Sequence, residues 1–387
     1  MFAFPESTAA VQADENVSYW ANSIEPISYP FLKKNLSTEV VIVGGGLACL
    51  SAAYCLSREG KRVVLLEDEL AGYEESGRHT GQLTTVPKER YYSLERRYGK
   101  GHSRLIADSH NAAIEFIRNT VKSENIDCDF EMLHGYLFQH PDDKKEILIK
   151  ELKASRNAGL DIAERNGIPG IKAVSEFCLQ FNNQAQFHPI KYRNGLSEAI
   201  RSKGGQVFTH SDGFEITENG IKTGSGHQIF AKKIVLEASP EKKTCENGKS
   251  ISLCSYLIGA TVKKSSLQKG LWWDTSGYTA RIAKYDNFYD LILCSKDDSI
   301  ADIPGKAAFS EEIRYQQLEN WLRDKFEIKD VIYKWTVNLK EPKNSIEYMD
   351  KYSPDEENIY VVSAYSKNGA TRSIIAGIIL SDHLLTT

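Results

Sequence analysis

The stretch that decides the fold is VVIVGGGLACLSAAYCL, running from Val40 to Leu56. Glu39–Val43 reads as a fully buried parallel strand, and Leu47–Arg58 reads as a helix with Gly60 placed to close its C-terminus. Arg62–Leu66 reads as a second buried strand that ends on Glu67. Together they form one βαβ unit in about thirty residues. This is the start of an α/β fold.

The turn has the pattern Gly44-x-Gly46-x-x-Cys49. In such a turn the first glycine allows the tight bend, and the second lets the backbone approach a pyrophosphate. The third serves close helix–strand packing. Gly44, Gly45, Gly46, Leu47 and Ala48 carry the amides that open a helix N-terminus, which favours an anion. Glu67 falls 21 positions after Gly46, at the strand end where a carboxylate accepts ribose hydroxyls, with Asp68 beside it. A dinucleotide is therefore expected. Cys49 replaces the third glycine. Ala48, Ala52 and Ala53 keep the neighbouring helix surface slim, so the thiol is expected to cost ~1–3 kcal/mol of packing at most and to leave the phosphate face intact.

The 387 residues suggest two domains or one elaborated domain. A net charge of −4 offers no basic field, so nucleic acid is not expected as a partner. The N-terminus lacks a basic segment followed by an apolar run, and no stretch approaches ~18 apolar residues, so neither secretion nor a membrane span is expected. The seven cysteines are scattered, with no Cys-x-x-Cys, and give no metal-ligating pattern. Reduced, buried thiols and a cytoplasmic location are the expectation.

Residues 1–37 are polar and aperiodic and are expected to wrap the surface as an arm. Leu105, Ala112, Ala113, Phe116, Ile117 and Val121 recur at helical spacing, and Lys144–Asn166 reads as a charged amphipathic helix. Between them CDFEMLHGYLFQH (128–140) reads as strand, turn, strand. A helix over Tyr192–Arg201 precedes short strands in QVFTHS, FEIT, GIKTGS, QIFA and KIVLEAS. Residues 251–300 alternate as in an antiparallel sheet. Ile313, Leu318, Trp321 and Leu322 mark a helix, Asn358–Val362 a strand, and Gly369 opens a helix that runs to Leu385. A nicotinamide enzyme usually continues with alternating helices and strands. This chain instead has one βαβ unit, a helical insertion and a run of antiparallel strands, and without a second fingerprint no separate NAD(P)H site is expected.

Several segments together resemble the D-amino-acid oxidase-like FAD-dependent oxidoreductases, which include glycine and sarcosine oxidases. They are the βαβ unit, SGRHTGQLT (76–84), IDCDFEMLHGYLF, NQAQFHPIKYRNGL (183–196), LWWDTSGYTARI and the tail IYVVSAYSKNGATRSIIAGIIL. The similarity is closer to a branch whose flavoprotein part is often fused to a Rieske domain, and it runs from about Val17 to Leu385; no Rieske pattern is read here. The resemblance implies a Rossmann-type FAD-binding domain and a substrate domain on a large mixed or antiparallel sheet, a glutathione-reductase-like two-domain architecture. The FAD domain would be assembled from 38–110, 185–240 and 345–387, and the substrate domain from 111–184 and 241–344.

By the same resemblance Ser76, Arg78, His79, Thr80 and Leu83 lie along the flavin. Val207, Ala238 and Ser239 adjoin the cofactor. Asn368, Gly369, Ala370 and Thr371 set a helix N-terminus at the pyrimidine end of the ring, where its dipole stabilises negative charge. The implied reaction is oxidation of a C–N bond of a small amine or amino acid by hydride transfer, with oxygen or a separate electron-transfer protein as acceptor. Lys367, His79 and Tyr365 are the candidate catalytic residues. Non-covalent FAD is expected, with His79 the residue through which a covalent bond would run. His188, Tyr256, Tyr278 and Trp335 admit core roles as well as pocket roles. Departures from the family pattern are Glu237-Ala238-Ser239, where Ala-Thr-Asn or Ala-Thr-Gly is usual, and Ala364 and Lys367 at familiar glycine positions. LCSKDDS (293–299) and EPKNSIEYMD (341–350) also depart from it. They leave two alternatives open: a redox-inactive binding or scaffold protein, and a flavoenzyme acting on another biosynthetic intermediate.

Overall fold

The computed structural model describes residues 17–25, 27–67, 77, 79–172, 177–209, 213–237, 250–299, 311–342, 349–351, 357–362 and 369–386. Two sheets organise it. The first runs Met349–Lys351, Ile359–Val362, Gln228–Glu237, Leu36–Val43, Val63–Glu67, Gln206–Thr209. All neighbours in it are parallel except Met349–Lys351, which runs antiparallel to Ile359–Val362. A hairpin of Phe214–Thr217 and Gly220–Thr223 attaches to the start of Gln228–Glu237. The second sheet runs Val331–Pro342, Ser250–Lys263, Tyr289–Ser299, Thr279–Lys284, Leu271–Asp274, Glu131–Phe138, Phe177–Gln186, Gln82–Leu83, and Ile162–Asn166 pairs with Phe177–Gln186. It is antiparallel throughout, apart from the parallel pairing of Leu271–Asp274 with Glu131–Phe138. The mixed second sheet beside a parallel first sheet is the two-part α/β architecture expected from the sequence.

Buried β-branched and leucine residues make the central strands. Val41, Ile42, Val64, Leu65 and Val235 are fully enclosed, as strands covered on both faces require. The helix Leu47–Arg58 covers one face of this sheet, and the helix Gly369–Thr386 packs across it. Their contact is close because Gly377 has no side chain. A Cβ there would stand 2.5 Å from the Ala48 carbonyl oxygen and 2.7 Å from the Ser51 Cβ. Ala48, Ala52 and Gly377 therefore set how near the last helix comes to the glycine-rich turn.

Four expectations change. The Lys144–Asn166 segment is a helix only over Glu146–Asn157. Gly159 then takes a φ of +85°, and Ile162–Asn166 leaves as a strand. CDFEMLHGYLFQH holds one strand, Glu131–Phe138, with a register shift between Leu133 and Gly135. Gly135 is there for closeness and not for a turn, since a Cβ would meet the Trp273 ring at 2.1 Å. QIFA and KIVLEAS join as one strand, Gln228–Glu237. The arm does more than wrap the surface: Tyr19 and Trp20, in the short helix Tyr19–Asn22, are buried in a cluster with Ile190, Leu257 and Trp335.

Replacing Gly377 with alanine is expected to lower stability by ~1–3 kcal/mol, because the opposing atom is backbone and cannot swing away. A urea midpoint unchanged from wild type would show that the two helices are free to separate.

Candidate functional site at the glycine-rich turn

Register places the site. Val43 pairs with Leu66 on one side and with Leu236 on the other. The next residue on each flanking strand, Glu67 and Glu237, thus ends its strand level with Gly44. Ligands of open α/β sheets sit at this edge, outside the carboxyl ends of the strands.

Glu67 is 1% exposed and its carboxylate is ion-paired with the guanidinium of Arg193, itself buried on the helix Pro189–Ser202. The pair presses on the turn: a Cβ at Gly45 would lie 2.8 Å from Glu67 Oε2 and 3.2 Å from Arg193 Nη2. On the other side the Gly46 N–H donates to Glu237 Oε2 at 3.0 Å. A Cβ at Gly44, whose φ is +134°, would lie 2.4 Å from the Glu237 Cβ. Glycine at 44, 45 and 46 is what allows two carboxylates to crowd this turn. Gly46 caps the helix that Leu47 and Ala48 open. Cys49 is fully buried in the apolar cluster that holds Ile42 and Leu65, so the missing third glycine is absorbed by packing.

A second group of expected residues gathers at the start of the last helix. The Thr84 N–H donates to Thr371 Oγ1 at 3.2 Å, and a Cβ at Gly369 would lie 3.9 Å from the His79 Cβ. Ala370 and Thr371 are buried there. His79 is fixed by three contacts. The Gly81 N–H donates to its Nδ1 at 3.0 Å, the Trp20 indole N–H donates to its carbonyl at 2.7 Å, and the Phe187 ring stands 6.1 Å away. Burial, with the Arg281 charge adding to it, pulls the imidazole pKa down to about 4. The ring is neutral near pH 7, and with Nδ1 accepting, its hydrogen sits on Nε2. That buried Nε2–H has no hydrogen-bond partner among the described residues.

Thr80 borders this loop, while Leu83 and Val207 lie in the apolar core, Val207 paired through its backbone with Leu65. Asp68, Ser76, Arg78, Ala238, Ser239, Tyr365, Lys367 and Asn368 lie outside the described residues. His188 is a structural cap: its Nδ1 accepts the Lys191 N–H at 3.3 Å, and its Nε2 meets the Ser23 hydroxyl at 2.9 Å. Tyr278 stacks on Trp321, Tyr256 packs edge-on to Tyr315, and Trp335 is core.

Two residues were not legible as site residues from the sequence. Arg193 carries no pattern that marks it as the partner of Glu67. Arg281, on Thr279–Lys284, is buried with its guanidinium on the Gly81 and Phe187 carbonyls and 4.8 Å from the Trp20 ring. Burial lowers its pKa to about 9, which still leaves it a cation at neutral pH.

The amides of the turn and the Glu67 carboxylate fit the diphosphate and ribose of a dinucleotide. The Glu237 carboxylate accepts from one of those amides, that of Gly46. No helix among the described residues is long and apolar enough to cross a membrane.

Comparison with known proteins agrees with this geometry. A family model described as DAO, FAD dependent oxidoreductase, matches residues 39–383. A Bacillus subtilis protein named as a Rieske 2Fe-2S iron-sulfur protein, YhfW, is 27% identical over 375 residues, covering 94% of this chain and 72% of that protein. Gamma-glutamylputrescine oxidoreductase of Escherichia coli is 26% identical, covering 95% of this chain and 88% of that protein. The crystal structure of glycine oxidase from Bacillus cereus shares the fold with a TM-score of 0.68 at 14% identity, over 90% of this chain and 95% of that one.

Burial also makes other histidines acid-sensitive. It holds His110 at about 4, and it holds His188 at about 3 with the Lys191 charge adding to it. The unfolded chain takes up protons near 6.5 and the folded chain does not, so stability is full above that pH and falls as pH drops toward 4. Each buried histidine is expected to cost up to about 2 kcal/mol at pH 5 relative to pH 7.5. Equal urea midpoints at the two pH values would contradict burial of these rings.

Proposed function

This chain belongs to the FAD-dependent oxidoreductase family, and we propose that it oxidises a C–N bond of a small amine or amino acid. The observation that carries the reading is the edge of the parallel sheet. There the glycine-rich turn, the Glu67–Arg193 pair and the strand leading to the last helix all end together. FAD, when bound, supplies the ring that accepts a hydride.

The chain's own groups do the rest. The amides at Gly44, Gly45, Gly46, Leu47 and Ala48 receive the diphosphate at a helix N-terminus. Glu67 accepts the ribose hydroxyls, and Arg193, ion-paired with it, keeps it aimed. His79 offers its Nε2–H as a neutral donor next to the start of Gly369–Thr386, whose positive end favours negative charge. No dedicated acid–base pair is needed for amine oxidation of this kind, because positioning and a dry pocket suffice. Tyr365 and Lys367 immediately precede that helix in sequence and are kept as candidate catalytic residues. Oxygen or a separate electron-transfer protein takes the electrons on. The name of the Escherichia coli relative supports the substrate class.

A second reading, a binding protein that keeps the fold without flavin turnover, is favoured by one observation, the Glu237 carboxylate on the Gly46 amide. Anaerobic addition of primary amines, secondary amines and amino acids to the FAD-loaded protein separates the two. Bleaching of the visible flavin band by a member of the panel is expected. A band that dithionite bleaches and no member of the panel does would favour the second reading.

Glu67→Gln keeps the shape and removes the charge. It is expected to weaken FAD binding about 10- to 100-fold, the worth of a hydrogen bond to a charged acceptor. Unchanged affinity would remove Glu67 from the ribose site. The glutamine is the better probe than alanine, because it keeps the volume and an oxygen that can accept from the buried Arg193 guanidinium, although either change removes that arginine's counter-charge.

A further inference from the structure

The Glu237 carboxylate lies where an incoming anion has to lie. Its Oε2 accepts the N–H of Gly46, the residue that caps the helix Leu47–Arg58. Backbone amides and the helix dipole favour negative charge at that place. Contact is intimate on both sides of the turn. A Cβ at Gly46 would stand 1.9 Å from Glu237 Oε1, and one at Gly44 would stand 2.4 Å from Oε2. The hollow that the two glycines open is filled by this side chain. The register explains why: Leu236 is level with Val43, so the residue after it meets the turn. A small residue there leaves the hollow open, and a glutamate reaches into it.

From this geometry we infer that Glu237 is an internal anion of the glycine-rich turn, one that the FAD diphosphate must displace in order to bind. The inference rests on the FAD reading given above. A diphosphate and a carboxylate cannot both accept the Gly46 N–H from the same side. The displaced carboxylate also stays at the sheet edge, near the incoming negative charge, which repels it. Two consequences follow for the chain. Without flavin the helix N-terminus is not left bare, so the flavin-free protein stays folded. With flavin, FAD is held less tightly than the turn alone would allow, and loading depends on the FAD concentration.

The measurement is the affinity of the flavin-free chain for FAD, by titration calorimetry, for wild type, E237A and E237Q. E237A is expected to bind FAD about tenfold more tightly or better, since the charged competitor is gone. E237Q is expected to fall between, because its amide oxygen can still accept the Gly46 N–H but brings no charge. Should E237A fail to fold, E237Q carries the test, as it keeps the shape and the hydrogen bond. If wild type binds FAD and both variants bind it equally or more weakly, Glu237 is not a competitor, while the FAD reading stands. If none of the three binds FAD, the inference falls together with that reading.

Discussion

Register between three parallel strands sets most of this site. Leu36–Val43 is held between Val63–Glu67 and Gln228–Glu237, with Val43 opposite both Leu66 and Leu236. One residue further, each outer strand ends on a glutamate while the central one turns. Two carboxylates therefore meet three glycines, and any side chain at Gly44, Gly45 or Gly46 would collide with them. The turn can be neither moved nor widened independently, because the helix that it opens is clamped from above by Gly377 against the Ala48 carbonyl. Packing in the interior at this density transmits a shift in one element to the next.

The two glutamates end alike and behave differently. Glu67 is paired with Arg193, and removing either partner of a buried pair of this kind strands the other. Glu237 accepts a backbone N–H of the helix N-terminus, that of Gly46. On the FAD reading proposed above, the first arrangement holds an acceptor for the ribose, and the second puts a negative group at the phosphate position. The chain would then carry both a frame for the cofactor and a group that opposes it.

Much of the fold was legible in the sequence because its signals are local. The βαβ unit, the last helix and the antiparallel stretch all follow from periodicity and from the glycine-rich turn. Failures came where a glycine had two meanings. Gly135 looked like a turn and is instead the point where the Trp273 ring crosses a strand. Gly159 looked tolerable inside a helix and ends it. QIFA and KIVLEAS read as separate strands, yet pairing with Leu36–Val43 runs through Ala231 and Lys233 and joins them. For the site, Glu67 and the glycines could be read from spacing. Arg193 and Arg281 could not, since a buried arginine is recognised only by the partners that tertiary structure brings to it. Glu237 was visible as a departure from the family pattern, but its place on the Gly46 amide emerges only from the strand register.

A crystal structure of the protein grown with FAD tests the central claim most directly. The expected result has the diphosphate on the Gly46 amide, Glu67 on the ribose, and the Glu237 side chain turned away from the helix N-terminus. A structure in which the Gly46–Glu237 hydrogen bond persists, with FAD bound elsewhere on the chain or bound without touching the turn, would contradict it.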